Sequence, residues 1–123
     1  MKRNVLALAA AAEAGTGLLL LAWPPIVVRL LFGEEISGIG VVVSRFGGVC
    51  LVGLGVACWP GNDQLRAFYG MVTYSALALL YLTYIGVRGE MVGVLLWPAV
   101  VVHAILAVLL VRARLKEQKT PAA

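Results

Sequence analysis

Four long runs of apolar residues dominate the chain, separated by short stretches that are charged or rich in Gly and Pro. An α-helix rises 1.5 Å per residue, so roughly 20 apolar residues cross the hydrocarbon core of a bilayer. The pattern therefore predicts an all-α fold, a four-helix transmembrane bundle that forms a single integral membrane domain over residues 1–123. The spans are expected at about residues 5–23, 37–59, 67–86 and 91–111.

A shorter apolar stretch lies between the first two spans, at about residues 25–33. Trp23 is typical of the membrane–water interface, and Pro24-Pro25 prevents the first helix from simply continuing. The stretch is too short to cross the bilayer, and Gly33 provides a C-terminal stop. We expect a short interfacial helix between helices 1 and 2.

Composition supports the membrane assignment and limits the partners. The chain is 62% hydrophobic and 13% charged, whereas a soluble domain carries about 25% charged residues. The formal charge of +4 is carried by basic residues at the chain ends and beside the apolar runs. That placement is typical of membrane topology, so we expect the lipid bilayer, and no nucleic acid, as a partner.

The basic residues are distributed unequally between the two sides of the predicted bundle. Four spans place both termini and the loop at residues 61–66 on one side, and Arg29 and Arg88 on the other. Cytoplasmic segments of bacterial inner-membrane proteins are enriched in Lys and Arg, so we expect both termini in the cytoplasm. The residues on that side are Lys2, Arg3, Arg66, Arg112, Arg114, Lys116 and Lys119.

Each predicted span contributes one polar side chain near the middle of the bilayer: Glu13, Arg45, Tyr74 and His103. At 1.5 Å per residue, all four lie within about 5 Å of the midpoint of their spans. Tyr81 lies on the same side of the third helix as Tyr74. Because ionisable groups at this depth face the bundle interior and pair, we expect a Glu13–Arg45 ion pair joined by the other polar groups.

Two interpretations of this cluster stay open. A buried ion pair can fix the register of neighbouring helices without adding stability. Alternatively, a carboxylate beside the only histidine has the components of a proton relay or of a site for a polar headgroup.

Small residues on the second span indicate close helix packing. Gly40, Ser44 and Gly48 recur at four-residue spacing and form one narrow face. Such faces let helices approach closely in lipid. We expect this face to contact a neighbouring helix.

The sequence contains few of the residues that enzymatic, cofactor or metal chemistry requires. The chain has one histidine, and its two cysteines, Cys50 and Cys58, do not form a CxxC motif. No nucleophile–base pair is recognisable. We therefore expect no catalytic residues, no cofactor, no metal and no enzymatic activity.

The segment Ala12-Glu13-Ala14-Gly15-Thr16 resembles the first helix of the small multidrug resistance transporters. In that family a first-helix glutamate exchanges protons for drug cations, so the resemblance implies a proton-coupled small-molecule exporter that uses Glu13. Arg45, His103 and the interfacial segment depart from the family pattern.

A second likeness rests on Arg45-Phe46-Gly47-Gly48 followed by Gly53-Leu54-Gly55. These segments and the overall size resemble the DoxX-like group of small four-helix bacterial inner-membrane proteins. The likeness implies architecture more than activity. The resulting hypothesis is a non-enzymatic protein that, through the polar cluster near the middle of the bilayer, binds a small amphiphilic ligand or serves as a subunit of a homo-oligomer or larger membrane complex. The exporter is the alternative.

Overall fold

A computed structural model describes residues 2–120, and within that range the chain forms five helices and no strand. Four of them are long and apolar enough to cross a membrane. The predicted all-α, four-helix transmembrane architecture is confirmed. The helices are α1 (Lys2–Ala22), α2 (Pro24–Phe32), α3 (Ile39–Ala57), α4 (Gln64–Arg88) and α5 (Leu96–Lys119).

Helix α5 begins at Leu96, five residues after the start predicted for the fourth span. Residues 91–95 are apolar but form part of the loop between α4 and α5. In this loop Gly93 N donates to Leu31 O at 3.0 Å, and Leu95 N donates to Leu30 O at 2.8 Å. Hydrophobicity alone did not reveal that these backbone groups bond to α2 instead of beginning a helix.

The same loop holds α2 in place through backbone hydrogen bonds. The last carbonyls of a helix have no donor within the helix, and here the loop supplies donors to two of them. A Cβ atom at Gly93 would collide with the carbonyl of Leu30, so the loop approaches α2 more closely than a side chain allows. Gly33 ends α2 with φ +74°, a left-handed conformation that favours glycine.

The four long helices form two antiparallel pairs. In the first pair, α1 packs along α3, with Gly17 against Gly48 and Ala10 against Gly55. In the second, α4 packs along α5. Helix α1 also contacts both helices of the second pair and so joins the two pairs.

Gly17, Gly48 and Gly55, which we call the glycine seam, bring the backbones of α1 and α3 together. A Cβ at Gly48 would lie 2.7 Å from the carbonyl oxygen of Gly17, and a Cβ at Gly55 would lie 2.6 Å from that of Ala10. Close packing through small residues is a common way for helices to associate in lipid. The seam therefore sets the register of α1 against α3.

The small-residue face expected at Gly40, Ser44 and Gly48 needs correction. Gly48 lies in the seam and Ser44 is half-buried, but a Cβ at Gly40 would meet only Ile36 of the adjoining loop. The contact with α1 continues from Gly48 toward Gly55 instead. The four-residue spacing was right for a helix face but placed it too close to the start of α3.

The start of α1 and the end of α5 meet at one end of the bundle. Lys2 is buried, with its Nζ 3.2 Å from Oε2 of Glu117 and 5.4 Å from the ring centre of Phe68. Lys2 thus connects the start of α1 to the end of α5 and to the first turns of α4. We call this the terminal end, and the opposite end, where α2 lies, the α2 end.

Candidate functional site

Glu13 and His103 form the polar centre of the bundle. Glu13 is 4% exposed on α1, and its Oε1 lies 3.4 Å from Nε2 of His103 on α5. This separation is longer than a good hydrogen bond, so the two groups are in loose contact. They connect the first helix pair to the second.

The second ring nitrogen of His103 limits where protons can be. Nδ1 lies 2.7 Å from the carbonyl oxygen of Ala99, one turn earlier on α5. A carbonyl only accepts, so Nδ1 must donate and carry a hydrogen. An attractive contact at Nε2 then needs one further proton, either on the Glu13 carboxyl or on the imidazole. Both arrangements leave the pair neutral as a whole, which reduces the penalty for burying it.

Tyr74 on α4 completes this centre. Its ring centre is 6.1 Å from that of His103, with the two rings tilted by 57°. Glu13, Tyr74 and His103 therefore come together from three helices, as the sequence predicts.

Arg45 does not join this centre, so the predicted Glu13–Arg45 ion pair was wrong. Arg45 is exposed, and its Nε donates to the carbonyl oxygen of Leu21 at 3.3 Å. In the register set by the glycine seam, Glu13 lies opposite the 52–55 segment of α3. That segment is about 10 Å along the axis from Arg45.

The partner of Arg45 is explained by Pro25. In a helix, the carbonyl of Leu21 would accept from the backbone N–H of residue 25, but Pro25 has none. The Arg45 guanidinium supplies the missing donor. Its charge also suits the negative end of the α1 dipole. A Pro-Pro pair followed by a lone arginine on the next span was the sequence signal that could have indicated this contact.

Tyr81 lies in a different site from the one expected. It is 63% exposed and lines a groove of ≈ 310 Å³ at the α2 end. There Arg88 donates from Nη1 to the Tyr84 hydroxyl at 3.3 Å and from Nη2 to Oε1 of Glu90 at 3.2 Å. We call this the tyrosine groove, and its lining is Tyr81, Tyr84, Ile85, Arg88, Glu90 and Met91.

A second groove, of ≈ 300 Å³, lies between α1 and α3 toward the terminal end. Its lining is almost entirely apolar and includes Ala14, Gly55 and Trp59. Within residues 2–120, no group of three His, Cys, Asp or Glu side chains is placed to hold a metal ion. The tyrosine groove is the one that combines charged and apolar groups.

In comparisons with known proteins, no family model, curated protein or solved structure matched this chain.

Proposed function

We propose that this protein is a non-enzymatic, multi-pass protein of the bacterial inner membrane that binds a small amphiphile in the tyrosine groove. The observation that carries the proposal is the mixed lining of the groove. Arg88 and Glu90 form one part of its wall, and Tyr81, Ile85 and Met91 form another. Such a wall suits a ligand with one polar and one apolar end.

The position of the groove supports the same proposal. Helix α4 ends at Arg88, so the charged part of the wall lies where the chain leaves the hydrocarbon core. Tyr81 and Ile85 lie one to two turns deeper. A ligand could therefore keep its head at the membrane surface and its tail along the helix. The volume is at the small end of the usual range for ligand sites, about 300–1,000 Å³.

The chemistry of Arg88 favours an anionic head. A guanidinium has five N–H donors, and Arg88 uses two of them on Tyr84 and Glu90. The others can bind a carboxylate or phosphate with charge-assisted hydrogen bonds.

The polar centre has a structural role in this proposal. Glu13 and His103 hold the two helix pairs in register, and neither residue lines either groove. A proton-coupled exporter using Glu13 is the alternative, supported by the contact between the buried Glu13 carboxyl and His103. The tyrosine groove, in contrast, already combines charged and apolar groups in one wall, so amphiphile binding is the better-supported function.

Replacing Arg88 should weaken amphiphile binding. We expect Arg88→Gln to reduce labelling by a medium-chain fatty acid bearing a terminal diazirine about tenfold, because a charge-assisted contact is lost. The measurement is photolabelling of protein in nanodiscs, with the labelled peptides identified by mass spectrometry.

The matched control for this experiment is Arg29→Gln. Arg29 is also exposed at the α2 end and also pairs with a carboxylate, Glu35, at 3.6 Å, but it does not line the groove. Equal labelling of wild type and Arg88→Gln, or equal losses in both variants, would refute the groove as the site. Proton-linked efflux that Glu13→Gln abolishes would favour the exporter.

We further propose that the terminal end faces the cytoplasm. The charges of the α2 end support this, because the positive charges of Arg29 and Arg88 there are each balanced by a paired carboxylate. In a background with both native cysteines replaced by serine, we expect a maleimide that does not cross membranes to label Glu35→Cys, but not Lys119→Cys, in intact cells. Labelling of both positions from outside would reject this orientation.

A further inference from the structure

The guanidinium of Arg45 has donors that nothing in the described chain uses. Its Nε bonds to Leu21, and among residues 2–120 no carboxylate lies within 4 Å of its nitrogens. Both Nη groups belong to an exposed side chain on a membrane-spanning helix. A cation in that position needs an anionic or strongly polar partner.

The location of Arg45 directs its charge to the membrane surface at the α2 end. Its Cα is six residues after Ile39, about 9 Å from the start of α3. Side chains on a helix lean toward its N-terminus, which for α3 is the α2 end. The contact with Leu21, one residue before the end of α1, agrees with this direction. Long basic side chains commonly reach the interface in this way.

The surroundings of Arg45 are suited to a lipid. Val42 and Val49, on the same side of α3 and one turn away in each direction, are 61% and 54% exposed and apolar. On its other side, Gly48 is buried against α1. The guanidinium thus lies at the edge of the α1–α3 contact, beside a surface that acyl chains can cover.

From these observations we infer that Arg45 binds the phosphate of a phospholipid in the leaflet at the α2 end. Nε remains on the Leu21 carbonyl, while the two Nη groups donate to two phosphate oxygens. A planar guanidinium matches a phosphate in this paired geometry, which a lysine ammonium cannot reproduce. One lipid is thereby held where α1 ends, and Arg45 links the helix terminus to the membrane surface.

The test uses native mass spectrometry of the full chain, titrated with phosphatidylglycerol in detergent. We expect wild type to retain one phospholipid that Arg45→Gln binds about tenfold more weakly, and that Arg45→Lys binds with intermediate strength. Arg29→Gln is the matched control and should bind as wild type does, because Arg29 lies on α2 and takes no part in the contact between Arg45 and Leu21. Equal retention by wild type and Arg45→Gln, or equal losses in both Gln variants, would overturn the inference.

A second measurement uses wild-type protein and so does not depend on the folding of a variant. Phosphatidylglycerol should raise the melting temperature of the wild-type protein, whereas a diglucosyl diacylglycerol, which lacks phosphate, should not. Inorganic phosphate should not displace the lipid. Equal stabilisation by the two lipids would contradict a phosphate site, and displacement by inorganic phosphate would show a site for the free ion instead.

Discussion

Replacing Gly55 with leucine should disrupt the contact between α1 and α3 and lower the free energy of unfolding by about 3 kcal/mol, the upper end for an overpacked site. The Cβ atom alone would lie 2.6 Å from the carbonyl oxygen of Ala10 and 2.7 Å from the Cβ of Ala14. The first of these atoms belongs to the backbone, so no side-chain rotation can make room. Denaturant unfolding in mixed micelles, followed by circular dichroism, measures the loss.

The matched control is Gly53→Leu, two residues earlier on the same helix. A Cβ at Gly53 would have no atom within 4 Å, and the residue is exposed. Leucine also has the higher helix propensity, so this variant should be as stable as wild type or slightly more stable. Similar losses for Gly53→Leu and Gly55→Leu would show that the glycine seam does not determine the packing of α1 on α3.

The architecture was predictable because hydrophobic length is a property of each segment by itself. Four apolar runs of sufficient length define four spans wherever their neighbours lie. The helix at Pro24–Phe32 was also predictable, since Pro24-Pro25 and Gly33 are local signals. The loop before Leu96 was not, because its apolar residues pair with the end of α2, which lies far away in sequence.

The polar centre was predictable in part, for a related reason. The depth of a residue in its own span can be counted, and Glu13, Tyr74 and His103 do come together as their similar depths suggest. Counting residues along a span does not show which helices are neighbours. Helix α3 packs chiefly on α1, so Arg45 faces away from α4 and α5.

Tyr81 shows the limit of periodicity on one helix. It shares a side of α4 with Tyr74, but seven residues place it about 10 Å farther along the axis. At that distance it lines the tyrosine groove near Arg88 instead of joining the polar centre.

The second large effect is expected at the contact between Glu13 and His103. Replacing either residue with leucine leaves the other buried without its partner, which costs about 1–3 kcal/mol. Replacing both removes the unpaired group and should restore much of the loss, because an apolar pair can substitute for a buried polar one. The sum of the stability losses in the two single variants should therefore exceed the stability loss in the double variant.

A double-mutant cycle on Glu13→Leu and His103→Leu, measured by unfolding in mixed micelles, tests this most directly. We expect a coupling energy of about 1–2 kcal/mol, at or near the upper end for polar contacts between membrane helices. The parallel cycle on Glu13→Leu and Arg45→Leu should give additive losses within about 0.5 kcal/mol, because those residues are far apart along the helices. Additive losses for Glu13 and His103, with coupling between Glu13 and Arg45 instead, would contradict the pairing described here.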